Sequence, residues 1–299
     1  MGFIDDLRAL NGQRQIGIKN ILESNSKPCP AIRAEFEKLW SVYSDLADAN
    51  FLSAFNSDPE SRYWEMYLGA SLRNYGIELS SSDSGPDLKV EGHTDPIWIE
   101  AIAPNQGDPD KPDYLPDKPE AGEVFDVPRE KIILRFTSAL ETKRNKFAKY
   151  LEDGTVGPGD CCVIAVSAAD LPFYPMEDSL PYIVQAVYPI GHQYVTFDKE
   201  TLEVVDSGRH YQPFVLKAGE MNIPKFAFFA EEYNQISAVI FCAKGIGNTA
   251  ENWGADLIVI HNATASVPLP SGIIGVGMEY SVEIEGEEGQ LVWKDHNKS

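Results

Sequence analysis

The chain lacks the pairs and runs that mark several protein classes. Its four cysteines, Cys29, Cys161, Cys162 and Cys242, form no CxxC pair, and two adjacent cysteines rarely ligate one metal or bridge each other. Structural zinc and a disulfide framework are therefore not expected. The five histidines, His93, His192, His210, His261 and His296, include no HExxH and no closely spaced pair, which leaves zinc hydrolysis without support. No G-x-S-x-G, P-loop or cysteine-nucleophile signature occurs. The longest apolar runs, Ile236 to Cys242 and Ile97 to Ala103, fall far short of a membrane span and match buried strands. Asp5, Asp6, Arg8, Arg14 and Lys19 interrupt the first twenty residues, so no secretory h-region forms and a cytoplasmic location is the expectation. Positive charge is also scarce: 25 Lys and Arg stand against 46 Asp and Glu, for a net charge of -21. That balance argues against broad adhesion to nucleic acid, although a groove needs only a local basic strip.

Apolar content, at 43% of 299 residues, is ample for a packed core. Residues 1–56 read as an N-terminal helical segment, with Phe36, Leu39, Trp40 and Tyr43 at helical spacing. A core follows over 57–265. It begins with a helix from Ser61 to Tyr75 ended by Gly76, a polar loop at Ser80 to Gly85, and strands at Leu88 to Val90 and Ile97 to Ala103. Asn105 to Pro128, rich in Pro, Asp and Gly, reads as a long surface loop that could serve as a lid. Then come a helix over Glu130 to Glu152 and a buried strand over Cys161 to Ser167. Further strands are expected at Tyr182 to Tyr188, Tyr194 to Phe197, Ile236 to Ala243 and Ile258 to His261. Residues 266–299, with Glu283, Glu285, Glu287 and Glu288, read as peripheral. The class is α/β with a mixed, partly antiparallel sheet, as one compact domain overall.

Three carboxylates stand out against this pattern. The apolar stripe Leu68, Leu72 and Tyr75, counted back by three, places Glu65 on the inward face of its helix, where a charge needs a partner such as Arg62, Arg73 or a metal. Asp87 follows Gly85-Pro86 at a strand start. Glu100 interrupts an otherwise apolar strand, sharing a face with Trp98 and Ile102. Three converging carboxylates repel, and the usual remedy is a hard cation with oxygen ligands, Mg2+ or Mn2+, which suits phosphodiester hydrolysis. The alternative is a helix Glu held in an internal ion pair.

Through Glu65, Pro86-Asp87 and Glu100-Ala101-Ile102 the sequence resembles the PD-(D/E)XK nuclease superfamily, the restriction-endonuclease-like fold, over about residues 59–167. The resemblance implies that Asp87 and Glu100 bind the metal directly and that Glu65 is an additional metal or water ligand. It also implies a lysine two residues after Glu100, where this chain has Ile102. Members of the superfamily can supply that lysine from a neighbouring helix. Here Lys143 falls between Leu140 and Phe147 on the apolar stripe of the following helix, with Lys146 one turn away as second choice. On the other reading Lys143 snorkels its amine to solvent. Arg135 on the same helix would contact a phosphate or stand exposed.

The expectation is thus a magnesium-dependent nuclease acting on nucleic acid, DNA before RNA, with Glu65, Asp87, Glu100 and Lys143 as its catalytic set. Its alternative is a nuclease-fold protein that has lost catalysis and serves as a binding or assembly module. The resemblance leaves room for a homodimer, since many nucleases of this class pair two sites to cut two strands. Gly245-Ile246-Gly247-Asn248-Thr249-Ala250 mimics a dinucleotide turn, but Trp253-Gly254 and a new strand near Leu257 leave no room for the helix it needs, so a tight hairpin or loop is expected instead. His93, in the turn between the two site strands, would be near a substrate, though a lone loop histidine is more often incidental.

Overall fold

The computed structural model describes residues 2–10, 14–82, 84–111, 113–120, 122–173, 180–217, 221–275, 277–286 and 288–298. Five helices come first: α1 (Phe3–Ala9), α2 (Ile16–Glu23), α3 (Cys29–Tyr43), α4 (Phe51–Ser57) and α5 (Pro59–Asn74). Strands β1 (Leu79–Ser80), β2 (Leu88–Val90) and β3 (Ile97–Ile102) lead to the long helix α6 (Arg129–Asp153) and to β4 (Cys161–Ser167). Then follow α7 (Tyr182–Val187), the hairpin β5 (Ile190–Phe197) with β6 (Val204–Tyr211), and the short hairpin β7 (Phe214–Lys217) with β8 (Met221–Pro224). The chain returns through β9 (Ala238–Cys242), β10 (Ile258–His261), β11 (Met278–Glu285) and β12 (Glu288–Asp295).

Eight strands form one mixed sheet in the order β1-β2-β3-β4-β9-β10-β11-β12. The β3–β4, β4–β9 and β10–β11 pairs are parallel and the rest antiparallel. Alternation along each central strand feeds two cores. Ile97, Ile99, Ala101, Val163, Ala165 and Ile240 pack against the N-terminal helices, and Cys162, Ile164, Val166, Val239 and Phe241 pack against α6 and α7. The molecule is therefore an α/β protein whose N-terminal helices cover one sheet face. Among the described residues no helix is long and apolar enough to cross a membrane, and all four cysteines are free.

Two local features shape the region of the three carboxylates. Asp58, whose carboxylate accepts from the Ser61 amide, caps α5 ahead of Pro59, and Gly76 at φ 79° turns the chain out of it. Within α5, Gly69 leaves room for Tyr43: a Cβ there would stand 2.7 Å from the tyrosine ring. A glycine costs helix propensity, and here it is what lets α3 lie close against α5.

Several expectations need correction. Tyr182 to Val187 is the helix α7, not a strand. All six of its side chains are buried, and a run buried on every side carries no period by which helix and strand differ. The segment between β3 and α6 has no regular element among its described residues and is mostly exposed, as expected of a surface loop, but Asp113 and Leu115 are buried within it. Leu115 is fully buried, Lys131 donates to the Tyr114 carbonyl (3.0 Å), and Arg135 donates to the Asn105 carbonyl (2.9 Å) and pairs with Asp113 (3.5 Å). Arg135 is thus engaged with that segment. The last strands, β11 and β12, extend the sheet on the side away from β1. The glycine-containing segment after β9 is a loop joining it to antiparallel β10, as expected.

Candidate active site

The β2–β3 pairing sets two carboxylates side by side. Leu88 lies opposite Ile99, so one step further along the antiparallel register Asp87 lies opposite Glu100. Both share the α6 face, since Leu88, Ile97 and Ile99 fill the other core. Like charges in such a pair repel and need compensation. Asp87 Oδ2 accepts from the Ala101 amide at 2.7 Å. Burial, then the Glu100 charge, nevertheless holds the Asp87 carboxyl above its usual range, with Lys143, the Ala101 amide and Lys146 opposing.

Glu100 is wholly buried. Its Oε1 accepts from Lys143 Nζ at 2.8 Å and from Lys146 Nζ. Its Oε2 is buried and has no hydrogen-bond partner among the described residues. Only 14% of the Lys143 side chain is exposed, against 43% for Lys146. Lys143 does not snorkel outward: its stem runs along the α6 stripe with Leu140 and Phe147, and its amine turns to the sheet. Burial works against the Lys146 charge, but the Glu100 carboxylate outweighs it and the ammonium pKa is raised. One turn further, Tyr150 donates from its hydroxyl to the Gly85 carbonyl at 3.0 Å, and its ring lies under Lys146. That bond ties α6 to the Gly85-Pro86 turn that carries Asp87.

Glu65 approaches from α5. Its partner is Arg62, at 2.8 Å, which also reaches Asp48 at 3.2 Å, while Arg73 pairs instead with Asp45. Burial and then the Asp87 charge push the Glu65 carboxyl up to about 8, against the pull of Arg62 and Lys143. The Tyr43 hydroxyl belongs to the same field: burial first, then Glu65 and Asp87, raise its pKa.

The fold thus brings Glu65, Asp87, Glu100, Lys143 and Lys146 into one electrostatic cluster, while Ile102 remains half-buried on β3 against the second core. Among the described residues no group of three or more His, Cys, Asp or Glu side chains is placed to hold a metal ion. The three-carboxylate ligand set expected from the sequence is therefore not assembled as such, because Glu65 is engaged by Arg62. His93 lies in the exposed β2–β3 turn. The sequence pattern gave Tyr43 only as a stripe residue, and neither Tyr150 nor Asp48 a role in the site. The available signal was a hydroxyl on each otherwise apolar face, which when buried seeks a polar partner. Comparison of the chain with protein-family models, with curated proteins and with solved structures finds no match in any of the three.

Proposed function

We propose that the chain is a metal-dependent nuclease of the PD-(D/E)XK kind, acting on DNA, with its motif lysine supplied by α6. The observation that carries this reading is the Lys143 amine at 2.8 Å from the buried Glu100 carboxylate, beside a strand whose own position for that lysine is Ile102. The order α5, β2, β3, α6, β4 supports the restriction-endonuclease-like core.

A divalent cation suits the residues present. Mg2+ keeps several waters and binds through one or two carboxylates, so Asp87 and Glu100 suffice as protein ligands. The partnerless buried Oε2 of Glu100 and the raised Asp87 carboxyl are the atoms such a cation would satisfy. When bound, the cation supplies a more acidic water and neutralises charge on the scissile phosphate. Lys143 would donate to the attacking water and to developing charge on the phosphoryl oxygens, and Lys146, more exposed, would attract the phosphate. Glu65, tied to Arg62, lies within the field of Asp87 and would order water beside it.

A second reading has its own observation: two of the chain's own cations, Lys143 and Lys146, already meet the Glu100 carboxylate, as in a binding module without catalysis. The test is incubation with plasmid, linear and single-stranded DNA, with and without Mn2+, alongside Asp87→Ala and Lys143→Ala. Metal-dependent cutting lost in both variants supports the nuclease. Absence of cutting with Mn2+ binding that Asp87→Ala abolishes favours the module. Cutting that survives Asp87→Ala removes the site from consideration.

A further inference from the structure

Two ammonium groups converge on a single carboxylate oxygen in the candidate site. Oε1 of Glu100 accepts from Lys143 Nζ at 2.8 Å and from Lys146 Nζ, while Oε2 accepts from nothing among the described residues. Glu65 is answered by Arg62. The carboxylates of Asp87 and Glu100 thus face the ammonium groups of Lys143 and Lys146, and these charges cancel. A divalent cation entering that balance brings two positive charges in excess, and an excess of like charge in a buried site is poorly screened. One of the chain's own cations has to give way. The two lysines differ in how they are held. Lys143 lies on the buried stripe of α6 between Leu140 and Phe147, with its side chain nearly enclosed. Lys146 is half exposed, and its amine also lies 5.6 Å from the centre of the Tyr150 ring, which the bond from its hydroxyl to the Gly85 carbonyl holds in place. The face of an aromatic ring attracts a cation, so Lys146 has a second resting place one helical turn along α6.

We propose that Lys146 is an exchangeable counter-cation: Lys146 and a divalent cation are alternative partners of Glu100, and Lys146 gives up the carboxylate as the cation binds, turning toward Tyr150 and solvent. Lys143 stays on Glu100 in both arrangements. The inference rests on the metal-dependent reading of this site and adds an order of events to it. While its ammonium is engaged by Glu100, Lys146 offers little to a phosphate; once displaced, the same ammonium stands at the edge of the site with no carboxylate against it. The cation therefore comes first and the nucleic acid second, and a chain at -21 gains its local positive charge for the substrate only when the metal is in place. The exchange also sets metal affinity, because binding has to break the Lys146–Glu100 pair.

Two measurements on the full chain test this without any cutting assay. In the first, a limiting amount of an amine-acetylating reagent is applied with and without Mn2+, and mass spectrometry reads each lysine, with the exposed Lys149 of the same helix as internal reference. Mn2+ is expected to raise labelling of Lys146 several-fold relative to Lys149, to leave Lys143 protected, and to have no such effect in Asp87→Ala. In the second, calorimetry gives the Mn2+ Kd of the wild type, Lys146→Met and Lys149→Met. Lys146→Met is expected to bind Mn2+ about tenfold more tightly or better, since no pair has to be broken, and Lys149→Met to match the wild type. Mn2+ that binds while Lys146 labelling stays constant, or while Lys143 is released instead, overturns the inference and leaves the nuclease reading standing, as does a Lys146→Met affinity equal to or weaker than wild type. If neither the wild type nor Lys146→Met binds Mn2+, the inference falls together with the metal-dependent reading.

Discussion

Replacing Lys143 by Met removes an ammonium group while keeping an unbranched stem, and so isolates the contact on which the candidate site turns. At 2.8 Å, and with an effective dielectric of about 20, the Lys143–Glu100 attraction is roughly 6 kcal/mol before the cost of taking both charges out of water. Stripping a buried charge of its only partner costs about 3–5 kcal/mol. Glu100 keeps Lys146, whose side chain is 43% exposed and therefore screened. The expected cost of Lys143→Met is about 2 kcal/mol, and that of Glu100→Gln is similar because two amines are then left facing a neutral group. The double variant should cost less than the sum of the two, by roughly 1–3 kcal/mol, since the contact can be lost only once. Urea denaturation of the four proteins at neutral pH reads this coupling. A coupling below about 0.5 kcal/mol, the level of an exposed surface pair, refutes the argument that the amine is held against the sheet. In the cutting assay Lys143→Met should lower the metal-dependent rate by about 10²-fold or more, and Lys146→Met by much less.

Glu65, pushed up to about 8, binds a proton in the folded state that the unfolded chain releases near the usual 4.5. Stability should therefore fall as pH rises between those two values, and Glu65→Gln should flatten that window in urea melts taken from pH 5 to 9. Lys225, fully buried and donating to the Ile190 carbonyl at 2.9 Å, is pushed down to about 8 by burial first and by Arg129 second. The folded state thus binds fewer protons than the unfolded chain between 8 and the usual 10.5, so stability should rise with pH there. Lys225→Met should abolish that rise and add on the order of 2 kcal/mol at neutral pH, as read by the same melts. Gly69→Ala should cost about 1–3 kcal/mol by driving a methyl group into the Tyr43 ring, and calorimetry should show a lower Tm despite alanine's better helix propensity.

The parts of the site legible in the sequence were those that violate a local pattern. Glu100 breaks an apolar strand, Glu65 and Lys143 sit on apolar helix stripes, and each violation marked a charge that the fold had to neutralise from elsewhere. Which charges answer which was not legible. Arg62 rather than Arg73 meets Glu65, and both Lys143 and Lys146 meet Glu100, because those pairings depend on how α5 and α6 cross the sheet. The helix α7 escaped for the opposite reason: a segment buried on all sides violates nothing. The strand β7 was missed because Phe214, Val215 and Leu216 are apolar on both faces, so no alternation marks it, whereas β11 does alternate, Met278, Tyr280, Val282 and Ile284 against Glu279, Ser281, Glu283 and Glu285, and its acidic residues drew the reading to a peripheral tail instead.

The strands of the large sheet occur in space in the same order as along the chain, with one excursion, residues 168–237, that leaves from β4 and returns as its neighbour β9. The hairpins β5–β6 and β7–β8 lie inside that excursion, and the sheet's ladders are complete without them. Insertions or deletions in these two hairpins would leave every strand register of the large sheet, and the candidate site residues on α5, β2, β3 and α6, where they are. Length variation in this stretch is therefore a route by which the molecule's surface can diverge while its sheet is held fixed.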